Sequence, residues 1–212
     1  MNRATKKRTV EAGYDSVAEQ YLATKDAGDT RTLTELKNLD SKLTKEAAIL
    51  DLGCGAGIPA TRWLSQRFSV TGVDISERQL ELARRLIPRA SFIKGDMTNL
   101  NFEPDAFDAV ISLHAITHVP AAEQPVLLRD IYRWFKPAGL FLATWATGEW
   151  EGEEENWEGW GAPMWWSNLD SNANLKMLHD AGLVVESVRV LGDEDEQWMW
   201  VLARKPPRRA KR

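Results

Sequence analysis

Residues 49–57 read Ile-Leu-Asp-Leu-Gly-Cys-Gly-Ala-Gly, an apolar strand that runs into three alternate glycines. Glycine at such a bend accepts positive φ and lets the backbone come against a ligand with no Cβ between them. A second apolar run, Val-Thr-Gly-Val-Asp, ends on an acid at Asp74. An acid about 20 residues beyond the glycines, at the tip of the second strand, suits the two hydroxyls of a ribose. Together these features predict strand–helix–strand units with a nucleoside of adenosine type at the carboxyl ends of the strands.

The rest of the chain continues that alternation. Helices are expected over residues 14–24 and 30–43, the latter with Leu33, Leu36, Leu39 and Leu43 on one stripe. A helix over 59–68 tolerates Pro59 in its first turn, where no amide donor is needed. Ser76 and Gln79 have the spacing of a capping box ahead of Leu80, Ala83 and Leu86. Residues 91–94 and 107–113 read as buried strands. Leu127, Leu128, Ile131 and Phe135 mark a helix stopped by Pro137 and Gly139, and a strand follows over 140–145. A helix over 172–181 leads to two β-rich runs, 183–191 and 197–203, joined by the acidic turn 192–196. So short a turn makes an antiparallel hairpin, whereas the earlier crossovers make parallel pairs. The expected fold is a doubly wound α/β sheet of seven strands, mostly parallel, with an antiparallel last strand.

With 212 residues the chain is long enough for one domain with a proper core. No apolar run reaches membrane-spanning length, and no membrane partner is expected. The one cysteine, Cys54, excludes an internal disulfide framework, so a cytoplasmic location is the default. Four basic groups in residues 1–8 and six in 204–212 leave a body of 17 basic and 31 acidic residues. Such a body repels a phosphate backbone, which argues against nucleic acid as a partner.

Beyond the strand tips lie Asp51 to Gly57, Asp74, Gly95-Asp96-Met97, Ser112 to His118, and Thr144 to Trp150. The ordered set Asp-x-Gly-x-Gly-x-Gly at 51–57, Val-Asp at 73–74, Gly-Asp-Met at 95–97, Phe-Asp-Ala-Val at 107–110 and Phe-Lys-Pro-Ala-Gly-Leu at 135–140 resembles the class I S-adenosylmethionine-dependent methyltransferases. The resemblance covers roughly residues 10–203 and implies a Rossmann-like fold with S-adenosyl-L-methionine as cofactor. It places Asp51 near the methionyl part, with Gly53, Gly55 and Gly57 lining the approach. Asp74 then holds the ribose hydroxyls, Asp96 and Met97 flank the adenine, and Ile75 and Ser112 complete the wall. Tyr14 and Tyr21 resemble the aromatic residues of an amino-terminal lid. Where the family often has Pro-Gly-Gly, this chain has Pro137-Ala138-Gly139.

The implied activity is methyl transfer to O, N or S of a small molecule. His114 and His118 follow the fourth strand and are the candidate catalytic residues, His118 preferred. Spaced by four, they could share a helical face; without a third ligand no metal centre is expected. Residues 144–166 hold six of the ten tryptophans, interleaved with six glutamates. This stretch is read as a lid over the acceptor, with Trp145, Trp150, Trp160 and Trp165 facing it; aromatic faces beside carboxylates suit a cationic or planar aromatic molecule. A homodimer contact is the other use for exposed tryptophans. The expected organisation is amino-terminal helices to residue 45, a cofactor-binding core 46–145, the lid 146–170, a helix and hairpin 171–203, and a basic tail 204–212. Two rivals remain. One is a nicotinamide-dependent oxidoreductase, since Tyr132 and Lys136 imitate a Tyr-x-x-x-Lys pair, although Ile58 stands where a dinucleotide fingerprint has Gly or Ala. The other is a non-catalytic assembly protein of the same fold.

Overall fold

Apolar runs of period two, separated by segments of helical period, fold here into a layered α/β structure. The computed structural model describes residues 1–25, 28–192 and 197–208. Among the described residues the strands are β1 (Ala48–Leu52), β2 (Ser69–Asp74), β3 (Ser91–Lys94), β4 (Phe107–Ser112), β5 (Phe135–Ala146), β6 (Trp150–Glu154), β7 (Met164–Asn168), β8 (Val184–Gly192) and β9 (Gln197–Arg204). The helices are α1 (Arg3–Ser16), α2 (Ala18–Ala23), α3 (Thr30–Asp40), α4 (Ala60–Leu64), α5 (Glu77–Leu86), α6 (Gln124–Trp134) and α7 (Ser171–Asp180). Seven strands make the main sheet in the order β3-β2-β1-β4-β5-β9-β8, while β6 and β7 form a separate hairpin.

The pairs β1–β2, β2–β3, β1–β4 and β4–β5 are parallel; β9 runs antiparallel to both β5 and β8. The expected fold class therefore holds. Strand order reverses between β1 and β4, and it is at such a switch point that α/β sheets bind ligands. Side-chain alternation loads both faces of the sheet. Leu50, Leu52, Val110, Phe141 and Trp145 pack with Leu128, Ile131 and Trp134 of α6 on one side. Ile49, Val70, Ile111, Leu140 and Leu142 pack with Leu36 and Leu39 of α3 and Leu64 of α4 on the other.

Local departures from the sequence pattern have physical causes. The first helix starts at Arg3 rather than near residue 14, because the Asn2 side chain caps it, accepting from Thr5 N at 2.9 Å. Strand β3 is largely exposed, being an edge with a neighbour on one side only. Helix α6 ends at Trp134 and Lys136 is already in β5, because a residue before proline is pushed to extended backbone. Ala138 adopts φ +66°, the conformation that suits the glycine more usual there. The Ser76–Gln79 capping box is half formed. Ser76 Oγ accepts from Gln79 N at 3.1 Å, but Ser76 N donates to Asp74 Oδ1 at 2.9 Å, so the Gln79 amide is left free of its expected partner. Residues 193–196 of the acidic turn and 209–212 of the basic tail lie outside the described residues. Within that tail Lys205 and Arg208 both pair with Asp105, at 3.1 and 2.5 Å.

Candidate functional site

At the end of β1 the chain turns through Gly53, Gly55 and Gly57 with φ of +74°, +53° and +79°. Gly53 N donates to Val73 O at 2.8 Å, tying the turn to β2. A Cβ on Gly53 would stand 2.2 Å from the Cβ of Ala115, so only glycine lets the β1 and β4 loops approach this closely. Asp74 closes β2 beside the turn: Oδ2 accepts from Gly55 N at 2.7 Å and Oδ1 from Ser76 N. Burial pushes its carboxyl up to about 6, against the pull of those amides. Asp51 is buried behind the turn, where its Oδ2 accepts the Thr61 hydroxyl at 2.5 Å; burial raises it to about 7.

Three adjoining cavities open at the switch point. Gly53, Asp74, Ile75, Asp96 and Met97 line the first, of about 80 Å³, and Asp51, Gly55 and Gly57 the second, of about 470 Å³. The third, of about 460 Å³, is walled by aromatic rings of the β6–β7 hairpin and of α1 and α2. Tyr14, Tyr21 and His114 line both the first and the third, so the first cavity and the aromatic cleft adjoin at these side chains.

Gln79 is a residue the sequence reading passed over as a cap. Both its amide atoms are buried beside the first cavity without a partner among the described residues. An orphaned amide next to a carboxylate and a Cβ-free turn fits a ribose and its heterocycle, which bring donors and acceptors of their own. The site residues thus fit a nucleoside-bearing cofactor, with Asp74 and Gln79 for the sugar side and the glycine turn for its approach.

Helix α1 roofs the first cavity. Lys7 Nζ reaches Asp96 Oδ2 at 2.7 Å, Glu123 Oε2 at 2.5 Å and Thr98 Oγ1 at 2.5 Å. Burial lowers the Lys7 pKa, but the Asp96 and Glu123 carboxylates outweigh it and the net shift is upward. Asp96 therefore anchors a helix in addition to lining the cavity. At the other end Asp15 Oδ1 accepts the Ser76 hydroxyl at 2.6 Å and Arg78 N at 3.1 Å. Lys7→Ala leaves two partly buried carboxylates facing each other. It should cost about 1–3 kcal/mol of stability, read as a drop in the urea midpoint, and free the amides of α1 to exchange hydrogen.

The two histidines separate in role. His118 ends a single 3₁₀ turn, Ile116–His118, and is buried. Its Nδ1–H donates to Trp165 O at 2.7 Å, which makes Nε2 the acceptor of the Tyr14 hydroxyl at 2.9 Å. Both ring nitrogens are engaged, and burial lowers the pKa to about 4. His114 lies outside that turn at φ +56°, so the pair does not share a helical face. Its ring meets Trp198 edge to face at 4.3 Å, and neither ring nitrogen has a hydrogen bond among the described residues. Burial brings it to about 3, so it is neutral at physiological pH. Both rings line the first cavity, and of the two His114 is the one whose ring nitrogens have no hydrogen bond among the described residues.

Other expectations need correction. Trp145 is 1% exposed and packs in the core against Phe141, because on β5 it points to the inner face. Trp150 projects into solvent at the start of the hairpin. Trp165 lies under α1 with the Lys6 ammonium 4.3 Å over its ring, and meets the site only through its carbonyl. Trp160 does line the aromatic cleft, joined by Trp157, Trp166 and Trp198. Ser112 is fully buried, donating to Leu52 O at 2.9 Å, and ties β4 to β1 without lining the cavities. Cys54 is unpaired, and burial pushes its thiol well up, away from nucleophile chemistry. Tyr132 packs under Lys205, and Lys136 pairs with Asp108 at 2.7 Å; neither lines the cavities, which removes the dehydrogenase-like pair. Among the described residues no cluster of three metal-ligating side chains forms.

Fold and site together describe a doubly wound α/β domain whose switch-point cavities suit a nucleoside-bearing cofactor. Residues 49–139 match the methyltransferase-domain family. The chain is 29% identical over 178 residues to the sterol 24-C-methyltransferase of Candida albicans, an alignment covering 74% of this chain and 45% of that protein. It thus spans about half the length of the curated relatives it matches. The solved Burkholderia thailandensis 1,6-didemethyltoxoflavin-N1-methyltransferase, with 1,6-didemethyltoxoflavin and S-adenosylhomocysteine bound, superposes with a TM-score of 0.75 at 17% identity, covering 97% of this chain and 91% of that one. A Methanosarcina mazei S-adenosylmethionine-dependent methyltransferase gives 0.71 at 19%, covering 80% and 97%. Residues 49–139 thus carry the likeness to the methyltransferase-domain family, and the fold is the one these solved methyltransferases share.

Proposed function

We propose that this protein transfers the methyl group of S-adenosyl-L-methionine to O, N or S of a small molecule held beneath the β6–β7 hairpin. The observation that carries the reading is the wall shared by the nucleoside-side cavity and the aromatic cleft, formed by Tyr14, Tyr21 and His114. Cavities that adjoin at the same three side chains put a donor and an acceptor next to each other, and proximity is the chief requirement of an in-line displacement.

When bound, the cofactor supplies an activated methyl on a sulfonium. The chain's own residues bind, orient and exclude water. Asp74 and Gln79 hold the sugar, and Asp51, Gly55 and Gly57 line the path of the amino-acid end. His114, neutral and unengaged, accepts a hydrogen bond from the acceptor's O–H or N–H and orients its lone pair; the proton released leaves through the cleft to solvent. His118 acts at one remove, holding the Tyr14 phenol in place. Residues 46–145 are the cofactor-binding core and 146–170 the cover.

The same reading takes the cytoplasm as the protein's location, supported by its single, unpaired cysteine. Nucleic acid is disfavoured because Lys6, Lys7, Lys205 and Arg208 are spent on acids of the body. A homodimer through exposed Trp150 is tested by light scattering. The deciding assay is a panel of phenols, amines, thiols and carboxylates screened for S-adenosylhomocysteine release. Turnover of one class supports the proposal, and failure of the protein to bind S-adenosylhomocysteine ends it. Trp160→Ala should raise the acceptor KM at least fivefold and leave the cofactor Kd within twofold.

A further inference from the structure

The aromatic cleft has a charge asymmetry that the methyl-transfer reading does not require. Its walls are ring faces and edges: Trp157 meets Trp160 at 5.0 Å and Trp166 at 6.0 Å between centroids, and Trp160 meets Tyr21 at 6.4 Å. Two carboxylates, Glu154 and Glu158, line the same cleft, and neither has an ion pair or hydrogen bond among the described residues. Both are exposed, which puts them at the rim. The remaining titratable groups facing the cleft are His114, Lys25 and the two phenols. Lys25 already rests its ammonium 3.9 Å over the Tyr21 ring, which shows that a ring face in this cleft takes a cation.

We infer that the acceptor is an apolar or aromatic molecule carrying a permanent positive charge, seated with its cationic end between the indole faces and the Glu154 and Glu158 carboxylates. The inference rests on the methyl-transfer reading and names the substrate class of that site. Indole is the aromatic face that binds cations best, and two unpaired carboxylates add Coulombic attraction without a desolvation penalty, since they remain wet. The charge sits at the rim for a second reason. A sulfonium donor repels a cation placed beside it, so the charged end is remote from the atom that is methylated. An anionic acceptor has Lys25 alone to meet it and two carboxylates to oppose it.

Calorimetric titration of three matched phenols tests this: (4-hydroxyphenyl)trimethylammonium, the neutral isostere 4-tert-butylphenol and the anion 4-hydroxybenzenesulfonate. Each is titrated into the full chain with and without saturating S-adenosylhomocysteine. The trimethylammonium compound should bind at least tenfold more tightly than its neutral isostere. The Glu154→Gln/Glu158→Gln double variant should bring that ratio to within threefold while leaving 4-tert-butylphenol affinity unchanged. Trp160→Ala should weaken all three, the cation most. A neutral isostere that binds as well as the cation, or a sulfonate that binds best, overturns the inference. If S-adenosylhomocysteine itself fails to bind, the methyl-transfer reading falls, and the titrations without it still decide the cation preference.

Discussion

Gly53→Ala should destabilise the protein by about 3 kcal/mol and weaken S-adenosylhomocysteine binding beyond tenfold. Two costs add. An L-residue in the left-handed region loses about 1–2 kcal/mol, and overpacking costs about 1–3 kcal/mol. The second applies here because the new methyl would sit 2.2 Å from the Cβ of Ala115, a distance that forces the β1 and β4 loops apart. Gly55→Ala is the internal control. Its φ of +53° carries the same backbone cost, but the nearest atom to the added Cβ is Gln79 Oε1 at 3.6 Å. The Gly55 variant should therefore lose only about 1–2 kcal/mol. Urea midpoints that coincide for the two variants would show that the close approach of the loops carries no energy.

Asp74→Asn should raise the S-adenosylhomocysteine Kd at least tenfold at pH 8 and remove the part of its pH dependence centred near pH 6. A carboxylate accepts both hydroxyls of a diol, whereas the amide has one acceptor oxygen and presents an NH₂ to the amide of Gly55 or Ser76. In the parent protein burial lifts the Asp74 carboxyl to about 6, so affinity should be full at pH 8 and fall about tenfold by pH 5 as the group takes a proton. Stability runs the other way. Asp74 and Asp51 both sit above the ordinary carboxylate range in the folded chain, at about 6 and about 7. The stability they contribute is complete below the unfolded carboxylate pKa and is lost as pH rises through those two values. Melting of the ligand-free protein between pH 5 and pH 8 reads the loss. A cofactor affinity that is flat over the same range removes Asp74 from ribose binding.

What could be read from the sequence was chemistry that is local. The glycine turn, the strand before it and the acid at the tip of β2 are defined by neighbours within thirty residues, and each lies where its spacing implied. What could not be read depends on register and on distant partners. Trp165 and Trp166 are adjacent, yet the pleat of β7 sends only Trp166 into the cleft. Trp198 joins them because β9 pairs with β5 so that Trp198 lies opposite Ala146, a pairing made by strands about fifty residues apart. His114 is a non-glycine residue at positive φ, and no residue preference announces that. Lys7 stood in a basic run that resembles a solvated end; its acidic partners are 89 and 116 positions away. Gln79 had a local explanation as a cap, which hid its orphaned amide.

The close fit at Gly13 has a further outcome. A Cβ there would lie 2.5 Å from the Pro163 carbonyl oxygen, so the helix roofing the first cavity and the hairpin over the aromatic cleft touch backbone to backbone. Pulling either outward drags the other. On the methyl-transfer proposal one doorway thus serves two guests, the donor beneath the helix and the acceptor beneath the hairpin.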